Sequence, residues 1–437
     1  MDSMDDEKKV PEGRFGRFAR LAAMGMRTGA GMLLDREGAS TAKSAAAVLG
    51  TLRGLAAKVG QMASYVDGVV PEAHRDAYES SMKALRASAP KSSPAAIRAA
   101  VEEELGAPID ELFAEWNDQP IASASIGQVH SARMHDGREV AVKVQHPGIV
   151  QAVESDLANA GMLEGFVGVL GGKRFETKKM LEVIRTRFRE ELDYELEAER
   201  LLHFARLHAG DPTVRVPAFV GSRSKKRVLT TELARGLDFD EACAATERER
   251  VAWAETMWRF VFKGTLVGAM LNADPHPGNY IFHDDGAVTF LDYGCIQTMD
   301  ESRQKRARAV HFAALAGDET EFRAAVAAMV SSKPGPLEDL ALDYTRRCFE
   351  PLFASPHKIE RAYAASLVDG MKEMSTVARK VKEDEFFNMP PDMLFVNRIQ
   401  FGFYSVLARL DVAVDYAEVE REFLGLASAR ESARASA

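Results

Sequence analysis

The first part of the chain carries helical patterns only. Over residues 14–34, RFGRFARLAAMGMRTGAGMLL, Arg14, Arg17, Arg20 and Arg27 interleave with Phe15, Phe18, Leu21 and Met24, which predicts an amphipathic helix. The alanine-rich run Ser40 to Val66 predicts a second, because alanine has the highest helix propensity, and 72–87 a third. PKSSP (90–94) is a break, followed by a helix from Pro94 to Leu105 closed by Gly106. At Ile121 the pattern changes. ASASIGQVHSARM, then His135-Asp136-Gly137-Arg138, then EVAVKVQ predicts strand, turn, strand, and Asp-Gly is a strong hairpin signal. Val140, Val142 and Val144 alternate with Ala141, Lys143 and Gln145, so Lys143 faces away from the valines.

Helical sequence returns over about 149–209, broken near Gly171-Gly172. Arg227 to Leu233 reads as a strand, and Asp240 to Leu271 as helix. The loop NADPHPGNY then enters YIFHDDGAVTFLDYG, a hairpin turning at Asp285-Gly286. After Gly294 the pattern becomes helical almost at once and stays so, up to a small, polar tail, ASARESARASA.

Composition narrows the function classes. The 437 residues are 46% hydrophobic and 28% charged, as expected of a globular protein with a sizeable core. A net charge of −9 and the lack of a nucleic-acid motif exclude general nucleic-acid binding. Cys243, Cys295 and Cys348 are far apart, without metal-ligand spacing or a disulfide framework, which fits a reducing cytosol. The acidic N-terminus is no secretory signal. No apolar run reaches the ~18 residues of a membrane span, the best candidates being broken by Glu164 and Lys263. A cytoplasmic protein is expected. The helix over 14–34 could lie on an anionic membrane surface or dock on its own domain with its basic residues in solvent.

The chemistry concentrates late. Asp274 is followed five residues on by Asn279, and thirteen further by Asp292 in Leu291-Asp292-Tyr293-Gly294. Protein kinases space a catalytic Asp and a metal-binding Asn in this way, and place a second metal-binding Asp after a short hairpin. Hard oxygen ligands suit the magnesium that neutralises nucleotide phosphates. Each piece alone could be a rigid turn or a strand end; a preceding helix and an intervening hairpin unite them. Val140-Ala-Val-Lys143 matches the kinase strand whose lysine contacts phosphates and pairs with a helical Glu. That Glu falls within Glu191-Leu-Asp-Tyr-Glu-Leu-Glu197, where Asp193 and Glu197 would share a helix face while Glu195 and Glu199 form a solvated one. Lys58 and Gln61 likewise share a face.

Together these residues resemble the ABC1/UbiB family of atypical kinases, also called the AarF-domain or ADCK family, well over 40–300 and more loosely beyond. Lys58-Val-Gly60-Gln61 is similar to its K-x-G-Q signature, and Glu191-Leu-Asp193 to its E-x-D motif. Ala122-Ser123-Ala124-Ser125-Ile126-Gly127-Gln-Val129-His130 is similar to its alanine-rich nucleotide loop, with Ser123 replacing an alanine. The resemblance implies ATP or ADP with Mg2+ as cofactors. Asp274 and Lys143 would be catalytic, Lys143 pairing with Glu197, and Asn279 and Asp292 would hold the metal. Thr231, Glu232 and Leu233 would form the adenine hinge beside Ala141, and Lys58 would engage Glu191 and Asp193 to lid the groove. It also implies an α+β, bilobal, protein-kinase-like fold. The expected organisation is a tail with an amphipathic helix (1–37), a helical extension (38–115), a β-rich lobe (116–233), a helical lobe (234–427) and a flexible tail (428–437). With Tyr293 where phenylalanine is commoner, little change is expected.

No A-P-E closes an activation segment after Gly294. That points to ATP hydrolysis or a small-molecule kinase, which the resemblance places in quinone or isoprenoid lipid metabolism with peripheral membrane contact. Two alternatives are a protein Ser/Thr kinase and a non-catalytic nucleotide- and lipid-binding scaffold.

Overall fold

The computed structural model describes residues 92–123, 126–158, 185–330, 334–378 and 393–427. The helices expected before residue 92, with Lys58, Gly60 and Gln61, lie outside these residues, as do Ala124, Ser125 and Gly171-Gly172. The described chain forms two compact units, one holding 92–138 and 142–158, the other 139–141 and everything from 185 onward.

In the first unit α1 (Pro94–Leu105) begins where the Ser93 hydroxyl accepts from the Ala96 N–H, and ends at Gly106 in the left-handed conformation. It buries Ile97 and Val101. A short α2 (Ile109–Leu112) leads into β1 (Glu115–Trp116), β2 (Ala122–Ser123), β3 (Gly127–Arg133) and β4 (Glu139–Gln145), followed by α3 (Ile149–Ala158). β1 and β2 both pair antiparallel with β3, and β4 follows β3 in the sheet. Gly137, at φ 89°, turns the β3–β4 hairpin at the expected Asp-Gly. Val140, Val142 and Val144 are buried while Ala141 and Lys143 are half-buried, as the alternation predicts.

A polar chain threads this unit. The Ser92 N–H donates to Gln128 Oε1 at 3.1 Å, which leaves Gln128 Nε2 to donate to His130 Nε2 at 2.8 Å. His130 then donates from Nδ1 to the Asn117 carbonyl at 2.8 Å, and its ring stacks on Trp116. Burial lowers the His130 pKa, against the opposing pull of the Asn117 carbonyl and Asp118, so the ring is held neutral. An unfolded histidine titrates near about 6.5. As the pH falls, the unfolded chain therefore takes up this proton first. The stability contributed is complete above that pH and is lost as the pH drops toward the folded value. The urea midpoint should fall more between about pH 7 and about pH 5 for the wild type than for His130→Asn. Equal slopes would disprove the linkage.

The second unit starts with helical residues 185–191 and α4 (Tyr194–Leu207). The helical region expected here carries a further break at Leu192–Asp193. Asp193 caps α4, its Oδ1 accepting from the Glu195 and Leu196 N–H groups at 3.2 Å. A short acidic side chain gains more by satisfying free helix-end donors than inside a helix, so Asp193 stands at a helix start rather than on a shared helix face with Glu197.

β5 (Val214–Arg215), β6 (Val228–Glu232), α5 (Phe239–Cys243) and the twenty-residue α6 (Glu247–Leu266) follow. The helix expected to reach Leu271 ends five residues early, and Met270–Asn272 forms β7. This end packs closely on α4: a Cβ on Gly264 would come within 2.9 Å of Phe204, and one on Gly268 within 2.7 Å of Leu207. Ala269, at φ 52°, then turns the chain out of helical geometry. Beyond lie β8 (Tyr280–Phe282), β9 (Val288–Phe290), β10 (Ile296–Thr298), α7 (Glu301–Ala316), α8 (Glu319–Val330), α9 (Pro336–Cys348), α10 (Glu350–Phe353), β11 (His357–Lys358), α11 (Arg361–Ala378), α12 (Met393–Leu410), β12 (Ala413–Val414) and α13 (Tyr416–Leu424). The short strand β10 intervenes before the helices expected directly after Gly294, because it has a partner in β7.

α6 runs through the middle of the core. Trp253, Trp258 and Phe260 are buried on it, and Phe260 stacks on Phe290 with ring centroids 3.6 Å apart. The architecture is α+β and protein-kinase-like, a small strand-rich unit with a larger helical one.

Candidate nucleotide site

Two short antiparallel ladders build the site within the second unit. β8 and β9 pair Tyr280 with Phe290, and the Leu291 N–H donates to the Asn279 carbonyl at 3.0 Å, so Asn279 is held one residue from Asp292 in register. β7 and β10 pair Asn272 with Ile296, and the Ala273 N–H donates to the Cys295 carbonyl at 2.8 Å. Asp274 and Asp292 thus leave adjacent ladder ends. They line one small, open cleft together with Asn272, Pro275, Asn279, Leu291 and Phe403.

Local hydrogen bonds orient each group. Asn279 Nδ2 donates to the Asp274 carbonyl at 3.0 Å, which turns its amide oxygen to the role of acceptor or ligand. The Gly294 N–H donates to Asp292 Oδ1 at 2.8 Å. Gly278 donates to His276 Nδ1 at 2.8 Å, closing the Pro277–Asn279 turn. Tyr293 is fully buried, and its hydroxyl donates to the Phe290 carbonyl at 3.0 Å. Burial holds that phenol far above its ordinary pKa, so it stays neutral beside Asp292. The added hydroxyl is therefore satisfied inside the core.

Asn272 does more than its place in the motif suggested. Its Oδ1 accepts from the Asp274 N–H at 3.1 Å and its Nδ2 donates to the Asp292 carbonyl at 2.9 Å, so one amide spans the two acidic motifs. Its neighbours in Asn-Ala-Asp were the only sequence signal for it. Asn272→Ala should lower any turnover at this cleft about a hundredfold by misplacing both carboxylates. Steady-state kinetics with a circular-dichroism control would check this, and a loss smaller than about threefold would contradict it.

Glu197 is buried at 2% exposure on α4, and its Oε2 lies 3.4 Å from where a Cβ on Gly294 would sit, with Asp292 Oδ1 at 3.3 Å from the same point. Two carboxylates therefore flank Gly294, and a side chain there would press closely on both. Glu195 and Glu199 are exposed, as expected. Glu191 is half-buried. On β6, Thr231 is half-buried and Glu232 exposed; the Leu233 N–H donates to the Glu139 carbonyl at 3.1 Å. Lys143, Ile126, Gly127 and Val129 belong to the first unit, as do Ala122 and Ser123. The far end of the chain also reaches the cleft: a Cβ on Gly402 of α12 would meet Pro275 Cγ at 2.8 Å.

The oxygen set suits magnesium, which takes one or two carboxylates and completes its shell with phosphate and water. Asp292 offers a carboxylate and Asn279 an amide oxygen. Among the described residues no cluster of three or more His, Cys, Asp or Glu could hold a metal by itself.

A kinase-like fold with paired acidic motifs, in which the chain passes from Gly294 through one short strand directly into α7, is the pattern of the atypical kinase-like class. The chain belongs to the ABC1 atypical kinase-like family, whose domain matches residues 84–326. It is 32% identical over 310 residues to "Atypical kinase COQ8B, mitochondrial" of Rattus norvegicus, covering 66% of this chain and 57% of that protein. It is also 32% identical over 264 residues to "AarF domain-containing protein kinase 1" of Mus musculus, covering 57% of this chain and 48% of that protein. The chain thus spans about half the length of these curated relatives. Among solved structures, the Rv3197–erythromycin complex from Mycobacterium tuberculosis matches with a TM-score of 0.59 at 24% identity, over 93% of this chain and 98% of that one. That likeness concerns the fold. Among the described residues no helix is long and apolar enough to cross a membrane.

Proposed function

We propose that the chain binds ATP with Mg2+ and turns it over, by hydrolysis or by transfer to a small acceptor, in support of quinone or other isoprenoid lipid metabolism. The observation that carries this reading is the convergence of Asp274, Asn279 and Asp292 on one cleft, tied together by Asn272. Bound Mg2+ would supply charge neutralisation for the phosphates. Asp292 and Asn279 hold it, and Asp274 orients the attacking hydroxyl or water. Lys143 contacts the phosphates and pairs with Glu197. Residues Ala122 to Gly127 with Val129 and Ala141 line the nucleotide, and Thr231 to Leu233 face adenine. Lys58, Gly60 and Gln61 form a lid on Glu191 and Asp193, within the domain layout expected from sequence. Residues 14–34 make a peripheral membrane contact for an otherwise cytoplasmic protein.

The names of the relatives, atypical kinase and AarF domain-containing protein kinase, support nucleotide chemistry. The short passage from Gly294 through β10 into α7 disfavours the protein-kinase alternative, since it leaves little backbone on which to seat a peptide. The test is ATP turnover by the full chain in Mg2+ and in EDTA, with and without anionic liposomes. Magnesium-dependent phosphate release is expected. Release that is unchanged in EDTA would sink the reading, and efficient labelling of an added protein would replace it with the protein-kinase one.

A further inference from the structure

Three charged side chains outside the cleft converge on the backbone that follows Asp292. Glu190 Oε2 accepts from Arg187 Nη1 at 2.8 Å and from Arg200 Nη2 at 2.7 Å. Arg200 also donates from Nη1 to the Gly294 carbonyl at 2.8 Å. Arg187 donates to the Ile296 carbonyl at 2.7 Å and to the Gln297 side chain. The side chains are largely withdrawn from solvent, Arg200 at 6%, Arg187 at 18% and Glu190 at 23% exposure. Arg187 and Glu190 precede the break at Leu192–Asp193 and Arg200 follows it, so the triad also braces two helical segments across that break.

We infer that Arg187, Glu190 and Arg200 are positioning residues that lock the segment Gly294 to Gln297, and through it the Asp292 carboxylate, in the metal-binding arrangement. This rests on the nucleotide reading above. The chain of contacts is short. Arg200 fixes the Gly294 carbonyl, and the N–H of the same residue donates to Asp292 Oδ1. A charged donor to a carbonyl in a water-poor setting is among the stronger hydrogen bonds. Glu190 makes the arrangement possible, since two guanidiniums drawn toward one stretch of backbone repel each other without a carboxylate between them.

The functional consequence concerns regulation. In many kinases the segment after the metal-binding Asp is ordered only when phosphorylation supplies an arginine with a partner. Here the arginines already have a permanent partner, Glu190. The site is held ready without a phosphorylation step.

Hydrogen exchange on the full chain without nucleotide tests this directly. The peptide covering residues 292–298 is expected to exchange at least about tenfold faster in Arg200→Met than in wild type. Arg200→Lys, which keeps charge but loses the fork, should fall between them. Arg346→Met serves as the control, because that guanidinium also bridges two carboxylates, Glu319 and Glu350, in another part of the unit. It should lower thermal stability without changing exchange at 292–298. In a second measurement, Mn2+ binding in the presence of ADP, followed by electron paramagnetic resonance, should weaken about tenfold in Arg200→Met. Unchanged exchange at 292–298 in a folded Arg200→Met would overturn the inference. If that variant does not fold, the more exposed Arg187→Met decides by the same readout. Failure of the wild type to bind Mn2+ with ADP would overturn the nucleotide reading instead, while the exchange comparison would still decide the clamp.

Discussion

Replacing Asp292 by Asn should reduce magnesium-dependent ATP turnover by about a thousandfold, roughly 4 kcal/mol of transition-state stabilisation. The change is chosen for what it leaves alone. Asn keeps an oxygen in place to accept from the Gly294 N–H, so the turn that orients the side chain survives. The Asn272 bridge reaches the carbonyl of residue 292, which the substitution does not touch. What disappears is the negative charge that attracts the ion. Turnover measured over a magnesium titration, alongside a melting curve, separates the two. A variant that melts like the wild type and has lost turnover places the charge in the chemistry. Normal turnover in Asp292→Asn would show that the cleft is not where phosphoryl chemistry occurs.

The second large effect lies in the core. Glu420 on α13 is fully buried, and its two oxygens accept from Trp258 Nε1 on α6 at 3.0 Å and from His311 Nδ1 on α7 at 2.7 Å. One carboxylate therefore ties three helices. Glu420→Leu places an apolar side chain in the core but leaves an indole and an imidazole N–H buried without their acceptor. Removing one partner of such a group costs about 3–5 kcal/mol, a large part of a typical domain's total stability. Urea unfolding of the full chain should show a loss in that range. A loss below about 1 kcal/mol would mean that the helices rearrange to satisfy both donors elsewhere.

Much of the site was legible because its motifs are local. Asp274 to Asn279 and Asp292 to Gly294 sit at the ends of a hairpin whose turn residues, Asp285-Gly286, announce it. The β4 alternation likewise shows in the valines. The misreadings share a cause, which is competition from hydrogen-bond partners that a helical pattern does not reveal. Asp193 looked like a helical acid because its surroundings are helical, yet capping outweighs continuation there. Met270 to Asn272 extends an apolar helical pattern, but β10 offers it a ladder. Glu190, Arg187 and Arg200 carried no signal at all. The carbonyls that the two arginines reach lie about a hundred residues away, and an arginine on a helix reads as a solvated charge until its acceptor is known.

The approach of Gly402 to Pro275, with Phe403 beside it in the cleft, bears on how much chain makes a working molecule. The region shared with the family ends at residue 326, yet one wall of the cleft comes from α12. The proline ring abuts bare helix backbone, at a distance no larger residue would allow. A fragment trimmed to the shared region would keep the motifs from Lys143 to Gly294 but lose Lys58 to Gln61 and the buttress behind the Asp274 loop, so an inactive fragment would say nothing against the motifs it keeps.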